Sequence, residues 1–159
     1  MTALTQFLIA PARADADYED ARRLIREYAA SLPFALDFQG FDRELADLRA
    51  IYGPPSGELL LARRGGAVIG VVGVRPLVDD VCEMKRMYVV RAMRGHGLGL
   101  ALGFAIARAA RDLGYRRMRL DTIDSMHAAI KNYRALGCVE IPAYYENPVP
   151  GARYFELVL

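Results

Sequence analysis

Arg94-Gly95-His96-Gly97-Leu98-Gly99 places three glycines and a guanidinium within six residues. An apolar, β-branched run comes before it and an apolar stretch at helical spacing follows. The segment therefore reads as a strand, a short basic connector and a helix N-terminus. Glycine lets backbone approach a ligand closely and adopt positive φ. The first amides of a helix lack intrahelical partners and stand at the positive end of its dipole. Such a turn suits an anion, a phosphate above all, and Arg94 adds a fixed positive charge. Other reactive residue types are few. The only histidines, His96 and His127, exclude a multi-histidine metal site, and Cys82 and Cys138 stand apart without metal spacing. Both cysteines are expected as small buried hydrophobes, and no metal is expected.

Charge is distributed unevenly around this turn. Residues 85–119 carry nine basic residues against one acidic, whereas residues 1–50 carry six against nine. The basic excess fits either a solvated helix face or an anion site. A nucleic-acid track is not expected, because the segment lacks interleaved exposed aromatics and its flanks are acidic. The 159 residues, 53% hydrophobic and 25% charged, are enough for one globular domain, expected over residues 1–159. No charged segment followed by an apolar run opens the chain, and no apolar stretch is long enough for a bilayer, so a cytoplasmic protein is expected, without membrane contact.

The elements that must position the turn follow from periodicity. A first strand is expected over 5–9, ended by Pro11. A helix capped by Asp15 or Asp17 follows, with Tyr18, Ala21, Leu24, Ile25, Tyr28 and Leu32 on one face, and Pro33 closes it. A shorter helix is expected over 41–51. Gly53-Pro54-Pro55-Ser56-Gly57 is a turn. Strands are expected over 58–63, 68–77 and 81–90, the first two joined by a hairpin at Gly65-Gly66 and all three forming an antiparallel meander. Gly70 and Gly73 in the second mark a bulge or a close backbone approach. Then come a helix over 97–113 capped by Gly114, a strand over 116–122, a helix over 126–136 capped by Gly137, and strands over 138–141 and 153–159. The fold class is α/β with a mixed sheet: an antiparallel N-terminal meander, then βαβα and C-terminal strands, with helices on both faces.

A glycine turn alone has rivals. A dinucleotide site would use Gly95, Gly97 and Gly99, with Asp121 near the end of the next strand as the ribose acid. The spacing is G-x-G-x-G rather than G-x-G-x-x-G, however, and Arg91-Ala92-Met93-Arg94 intervenes between strand and glycines. The strands before it form a meander rather than a βαβ unit. A Walker A loop is absent.

The six residues resemble the R-x-x-G-x-G/A pyrophosphate loop of the GNAT superfamily of acyl-CoA N-acyltransferases. Met87-Tyr88-Val89 resembles the end of the family's fourth strand. Ala128-Ala129-Ile130-Lys131-Asn132-Tyr133-Arg134-Ala135-Leu136-Gly137 resembles its AA-I-x-x-Y-x-x-L-G-F helix. The order of elements resembles the family fold across nearly the whole chain. The resemblance implies acetyl-CoA as donor, with the fourth strand splayed from the fifth and the pantetheine between them. It places Met87 and Val89, flanking Tyr88, on the pantetheine through backbone bonds. It places Arg94, Gly95, His96, Gly97, Leu98 and Gly99 on the pyrophosphate, and Met126 and Ala129 along the thioester end. The family often has Asn where Met126 stands and usually Phe where Cys138 stands.

Acetyl transfer to an amine needs a base for the ammonium proton, an oxyanion donor and a proton for the thiolate. By resemblance Tyr133 is the general acid; otherwise it is a core aromatic. Glu83, four residues before Met87, resembles the glutamate base of part of the family. On an unbroken strand it shares a face with Lys85, Met87 and Val89, and burial in a cleft would turn a carboxylate into a base. The alternative for Glu83 is an ion pair with Lys85 or Arg86. The Val89 amide is the candidate oxyanion donor by analogy. His96 is expected to be exposed beside the loop, and His127 to face solvent.

The acceptor pocket in such a fold is formed by residues 31–41 and 142–151. Phe34, Phe38, Tyr144 and Tyr145 could wall it, with Glu146 or Asn147 as polar contacts, or could simply pack as loop residues. The reading is an acetyl-CoA-dependent N-acetyltransferase acting by direct transfer on a primary amine of an unidentified acceptor, expected to be a small molecule, with no nucleic acid as partner. An amino acid, a polyamine, an antibiotic and a protein lysine all stay open. The alternative is a non-catalytic acyl-CoA-binding sensor. The C-terminal strand offers an edge through which a homodimer could pair.

Overall fold

The computed structural model describes residues 6–36 and 40–159. Seven strands form one sheet: β1 (Leu8–Pro11), β2 (Glu58–Arg64), β3 (Ala67–Val78), β4 (Val81–Val89), β5 (Arg117–Ile123), β6 (Val139–Ile141) and β7 (Ala152–Val158). Their order is β1-β2-β3-β4-β5-β7-β6. The first four pair antiparallel, β4 and β5 pair parallel, and β5, β7 and β6 are antiparallel again. The helices are α1 (Asp15–Ser31), α2 (Phe41–Ala46), α3 (Leu48–Tyr52), α4 (Leu98–Asp112) and α5 (His127–Leu136). The expected mixed sheet, its meander and its helices on both faces are therefore found. Among the described residues no helix is long and apolar enough to cross a membrane.

Alternation along β2 explains why both faces are covered. Leu59 and Leu61 point to one side, where Tyr18, Ala21, Leu24 and Ile25 of α1 and Leu48 and Tyr52 of α3 pack. Leu60 and Ala62 point to the other, where Leu98, Leu102 and Ile106 of α4 and Ile130, Tyr133 and Leu136 of α5 pack. A strand buried on both sides reads as a continuous apolar run, and ELLLA is one. The two strand glycines serve close approach. A Cβ on Gly70 would meet Leu102 Cδ1 at 2.9 Å, and one on Gly73 would meet the Tyr52 ring at 2.7 Å.

Several boundaries differ from expectation for local reasons. β1 begins at Leu8 and includes Pro11, which an edge strand tolerates; Thr5 lies outside the described residues. Leu32 is the C-cap of α1 with extended φ and ψ rather than part of its apolar face, because Pro33 disfavours helical backbone at the residue before it. The N-cap of α1 is Ala14 rather than Asp15 or Asp17; Asp17, in the first turn, reaches back to accept from the Arg13 and Ala14 amides at 2.9 and 3.0 Å. The helix expected over 41–51 is broken at Asp47, whose Oδ1 accepts from the Ala50 amide at 3.1 Å and restarts the chain as α3. The C-terminal strand is no edge: β7 lies between β5 and β6, and the outer strands are β1 and β6.

Candidate active site

The site is built on a gap in the sheet. β4 and β5 pair only at Val81–Arg117, Cys82–Met118 and Glu83–Arg119. Beyond that point β4 stays paired to β3 as far as Val89–Gly70, and β5 to β7 as far as Ile123–Ala152. Each strand is thus held by its outer neighbour while the facing edges part. A cavity of ≈ 90 Å³ lies at this split. Lys85, Arg86 and Met87 line it from β4, and Asp121, Thr122 and Ile123 from β5. Met126, Ala129 and Tyr133 close it from α5, and Tyr28, Phe34, Leu36 and Asn147 from the other side.

A bulge decides which β4 side chains reach each face. Val71 pairs with Tyr88 and Gly73 with Lys85, so Val72 alone opposes both Arg86 and Met87. Arg86 takes a left-handed conformation, φ 62, a strain of about 1–3 kcal/mol that the surroundings must hold. They do so through Glu44. Arg86 Nε and Nη2 donate to its two carboxylate oxygens at 2.6 and 3.0 Å, with both side chains 2% exposed. The extra residue inverts the alternation. Met87 and Val89 pack towards α4 and α5, with Tyr88 towards α1. The expected common face of Glu83, Lys85, Met87 and Val89 is therefore split at Arg86.

Glu83 is buried, 3% exposed, and does not line the cavity. Arg75, opposite it on β3, donates to Oε1 from Nε and Nη2 at 3.2 and 3.0 Å. The Tyr144 hydroxyl donates to Oε2 at 2.6 Å. The ion pair read as the alternative for Glu83 exists, but with a cross-strand arginine rather than with Lys85 or Arg86. Burial and Glu83 together push the Tyr144 hydroxyl far above its usual pKa. Tyr145 donates to Asp121 Oδ2 at 2.6 Å, and Asn147 Nδ2 lies 3.3 Å from the same oxygen. Lys85 Nζ stands 3.5 Å from Asp121 Oδ1, and burial pulls its ammonium below the usual lysine pKa while Asp121 opposes the shift.

Tyr133 is buried on α5 with its ring 6.2 Å from that of Phe155. Desolvation pushes its hydroxyl well above the ordinary tyrosine range, so it stays protonated. Met126 is the N-cap of α5. Both thiols are buried and inert: burial pushes Cys82 up to about 12 and Cys138 up to about 11.

The glycine loop continues from β4 through a 3₁₀ turn, Arg91–Met93. Gly95 and Gly97 adopt φ of 83 and 80, and a Cβ on either would meet nothing within 4 Å. The loop is open on its outer side, and Gly97 is the N-cap of the 15-residue α4. Leu98 is 1% exposed and anchors the helix start. Gly99 instead lets α4 approach α5, since a Cβ there would meet Asn132 Nδ2 of α5 at 3.0 Å. Arg94 folds back, its Nε donating to the Val89 carbonyl at 3.0 Å and its guanidinium 5.5 Å from the Tyr88 ring centroid. His96 and His127 are exposed. The basic excess of 85–119 does not all lie here. Arg116 lies 4.0 Å from Asp80, and Arg117 and Arg119 pair with Glu156 at 3.5 and 2.9 Å.

Of the expected acceptor residues, Phe34 and Asn147 line the cavity. Tyr144 and Tyr145 instead hold Glu83 and Asp121, and Glu146 is exposed. Phe38 lies outside the described residues. Lys85 and Asp121 also line the cavity, and neither is among the site residues expected from the sequence. A signal existed for Asp121: in RMRLDTI, Met118 and Leu120 are core, so Arg117, Arg119 and Asp121 form a polar row on the opposite face.

Comparison with known proteins agrees with this arrangement. The sequence pattern of the acetyltransferase (GNAT) family matches residues 21–138. An uncharacterised N-acetyltransferase of Schizosaccharomyces pombe is 39% identical over 143 residues, covering 89% of this chain and 88% of that protein. The crystal structure of an acetyltransferase from Streptococcus agalactiae superposes with a TM-score of 0.78 at 18% identity, over 98% of this chain and 99% of that one. A Bacillus subtilis acetyltransferase in complex with CoA superposes at 0.68 and 16% identity, over 97% and 99% of the two chains. With its split sheet, glycine loop and matching sequence, the chain belongs to the GNAT acetyltransferase family.

Proposed function

We propose that this acetyltransferase moves the acetyl group of acetyl-CoA directly to a primary amine of a small molecule, without a covalent enzyme intermediate, in the cytoplasm. The observation that carries the reading is the parting of β4 from β5 beside an open glycine loop, with Tyr133 at the cavity between them. The pantetheine lies along Met87, Tyr88 and Val89 in the split. The pyrophosphate sits on the amides of Gly95, His96, Gly97, Leu98 and Gly99, with Arg94 as counter-charge. Met126 and Ala129 flank the thioester. A Bacillus subtilis acetyltransferase of the same fold is in complex with CoA, which supports a CoA thioester as the donor.

The amine nitrogen attacks the thioester carbonyl carbon. A C–N bond forms, the C–S bond breaks, and the amine loses a proton. The Val89 amide donates to the oxyanion, and Tyr133 gives the departing thiolate its proton. Glu83 is the base. Its Oε2 is held by Tyr144, so the proton reaches it through that hydroxyl or through water.

Titration calorimetry with acetyl-CoA and with NADH tests the reading, followed by thiol release from acetyl-CoA over an amine panel. Binding of acetyl-CoA that weakens at least tenfold in Arg94→Glu, with turnover of some amines, is expected. Binding without turnover of any amine would favour the sensor alternative. NADH binding with no response to acetyl-CoA would return the glycine turn to a dinucleotide.

A further inference from the structure

We propose that Arg94 selects the donor: it caps the Val89 carbonyl until a pyrophosphate draws it away, so the split takes a CoA thioester in preference to the same thioester on a pantetheine arm without pyrophosphate. This rests on the transferase reading above and concerns the donor half of the same site.

Backbone direction carries the first step. The Val90 amide donates to the Ile69 carbonyl of β3 at 3.0 Å. Backbone polar groups change sides from one strand residue to the next, so the N–H and C=O of Val89 turn away from β3. They face the edge where β4 has parted from β5. A strand edge left unpaired in this way receives an extended chain that carries amides, and pantetheine carries two. The Val89 carbonyl already has a partner, however: Arg94 Nε donates to it at 3.0 Å.

The place of the guanidinium gives the second step. It lies 5.5 Å from the centroid of the Tyr88 ring, and Tyr88 packs in the core on the α1 side of the sheet. Burial and Glu27 of α1 raise the pKa of the Tyr88 hydroxyl while Arg94 lowers it, so carboxylate and guanidinium both stand near that hydroxyl. The glycine loop leads instead into α4, which covers the other face. A pyrophosphate on the loop amides offers Arg94 a charge-assisted, bidentate partner, stronger than a neutral carbonyl. Arg94 is exposed, so it can turn to that partner without disturbing the core. Its departure opens the Val89 carbonyl to a pantetheine amide. A donor without pyrophosphate must displace Arg94 with nothing to receive it.

The test is calorimetry on the full chain with acetyl-CoA and with S-acetylpantetheine, the second measured by displacement against the first. In Arg94→Met and in Arg94→Ala, acetyl-CoA should bind at least about tenfold more weakly, as for loss of a charge-assisted contact. S-acetylpantetheine should bind about 3- to 10-fold more tightly, the range for one hydrogen bond that no longer has to be broken. The opposite signs set this apart from a simple loss of positive charge. Equal or weaker binding of S-acetylpantetheine in both variants would overturn the proposal and leave the transferase reading standing. Unchanged or tighter binding of acetyl-CoA in the variants would also overturn it, since Arg94 would then serve no pyrophosphate. Binding of NADH to wild type with no response to acetyl-CoA would overturn both.

Discussion

The Tyr144 hydroxyl donates to Glu83 Oε2 at 2.6 Å, and the next residue, Tyr145, donates to Asp121 Oδ2 at the same distance. Glu83 belongs to β4 and Asp121 to β5, the two strands that part. Two adjacent residues of one loop therefore hold a carboxylate on each side of the split. Their rings, with that of Tyr154, pack edge to face at centroid distances of 5.3 to 5.6 Å, which fixes the loop that carries them.

If Tyr144 relays the proton to Glu83, Tyr144→Phe should lower kcat about tenfold or more and leave acetyl-CoA binding unchanged. Glu83→Gln should lower kcat further, by about 10²–10⁴, the range for loss of a general base. Steady-state kinetics beside calorimetry separates the two effects. Should Tyr144→Phe change only KM for the amine, the loop shapes the acceptor pocket and proton transfer takes another route.

Glu44 and Arg86 make a different prediction, about stability. Both are 2% exposed and joined by two hydrogen bonds, and the pair holds Arg86 in its left-handed backbone at the bulge. Glu44→Ala leaves a buried guanidinium without this carboxylate, which should cost about 3–5 kcal/mol. Urea denaturation should show a lower midpoint with an unchanged slope. A loss below about 1 kcal/mol would mean that the bulge is held by other contacts.

Gly73 offers a packing test. Its added Cβ would stand 2.7 Å from the ring of Tyr52, which is 0% exposed and cannot retreat. Gly73→Ala should therefore destabilise the fold by about 1–3 kcal/mol. Gly73→Ala with Tyr52→Leu should recover part of that loss relative to Tyr52→Leu alone, and a double-mutant cycle by thermal unfolding measures it.

The element order was legible because it rests on local signals. The apolar run of ELLLA, the turn at Gly65-Gly66 and the αL cap at Gly137 need only neighbouring residues. The anion loop was legible because its glycines stand together. What escaped depends on partners distant in sequence. The bulge at Arg86 adds one residue to a strand and leaves no mark in composition, yet it splits Glu83 and Lys85 from Met87 and Val89. The break at Asp47 needed the side chain to choose the Ala50 amide over a continued helix. Lys85 and Asp121 meet only because β4 and β5 lie side by side. The place of β7 inside the sheet was hidden because an apolar alternation fits an inner or an outer strand equally.

Tyr133 joins core and chemistry, and the two can be separated. Its ring belongs to the α4–α5 core and stands against Phe155, while its hydroxyl belongs to a residue that lines the cavity. Tyr133→Phe keeps the ring, so the midpoint of unfolding should hold within about 1 kcal/mol, as for a shape-conserving core change. As the acid for the thiolate, the hydroxyl is needed only as the C–S bond breaks. The substitution should then lower kcat by about 10²–10⁴ without weakening acetyl-CoA. The pH profile adds an independent check. Burial raises the Tyr133 pKa above the ordinary tyrosine range, so the protonated acid persists through and beyond pH 10. The wild-type rate should show no fall near pH 10 that Tyr133→Phe removes. A variant that keeps kcat within twofold of wild type would leave Tyr133 as a core aromatic and pass the proton to water.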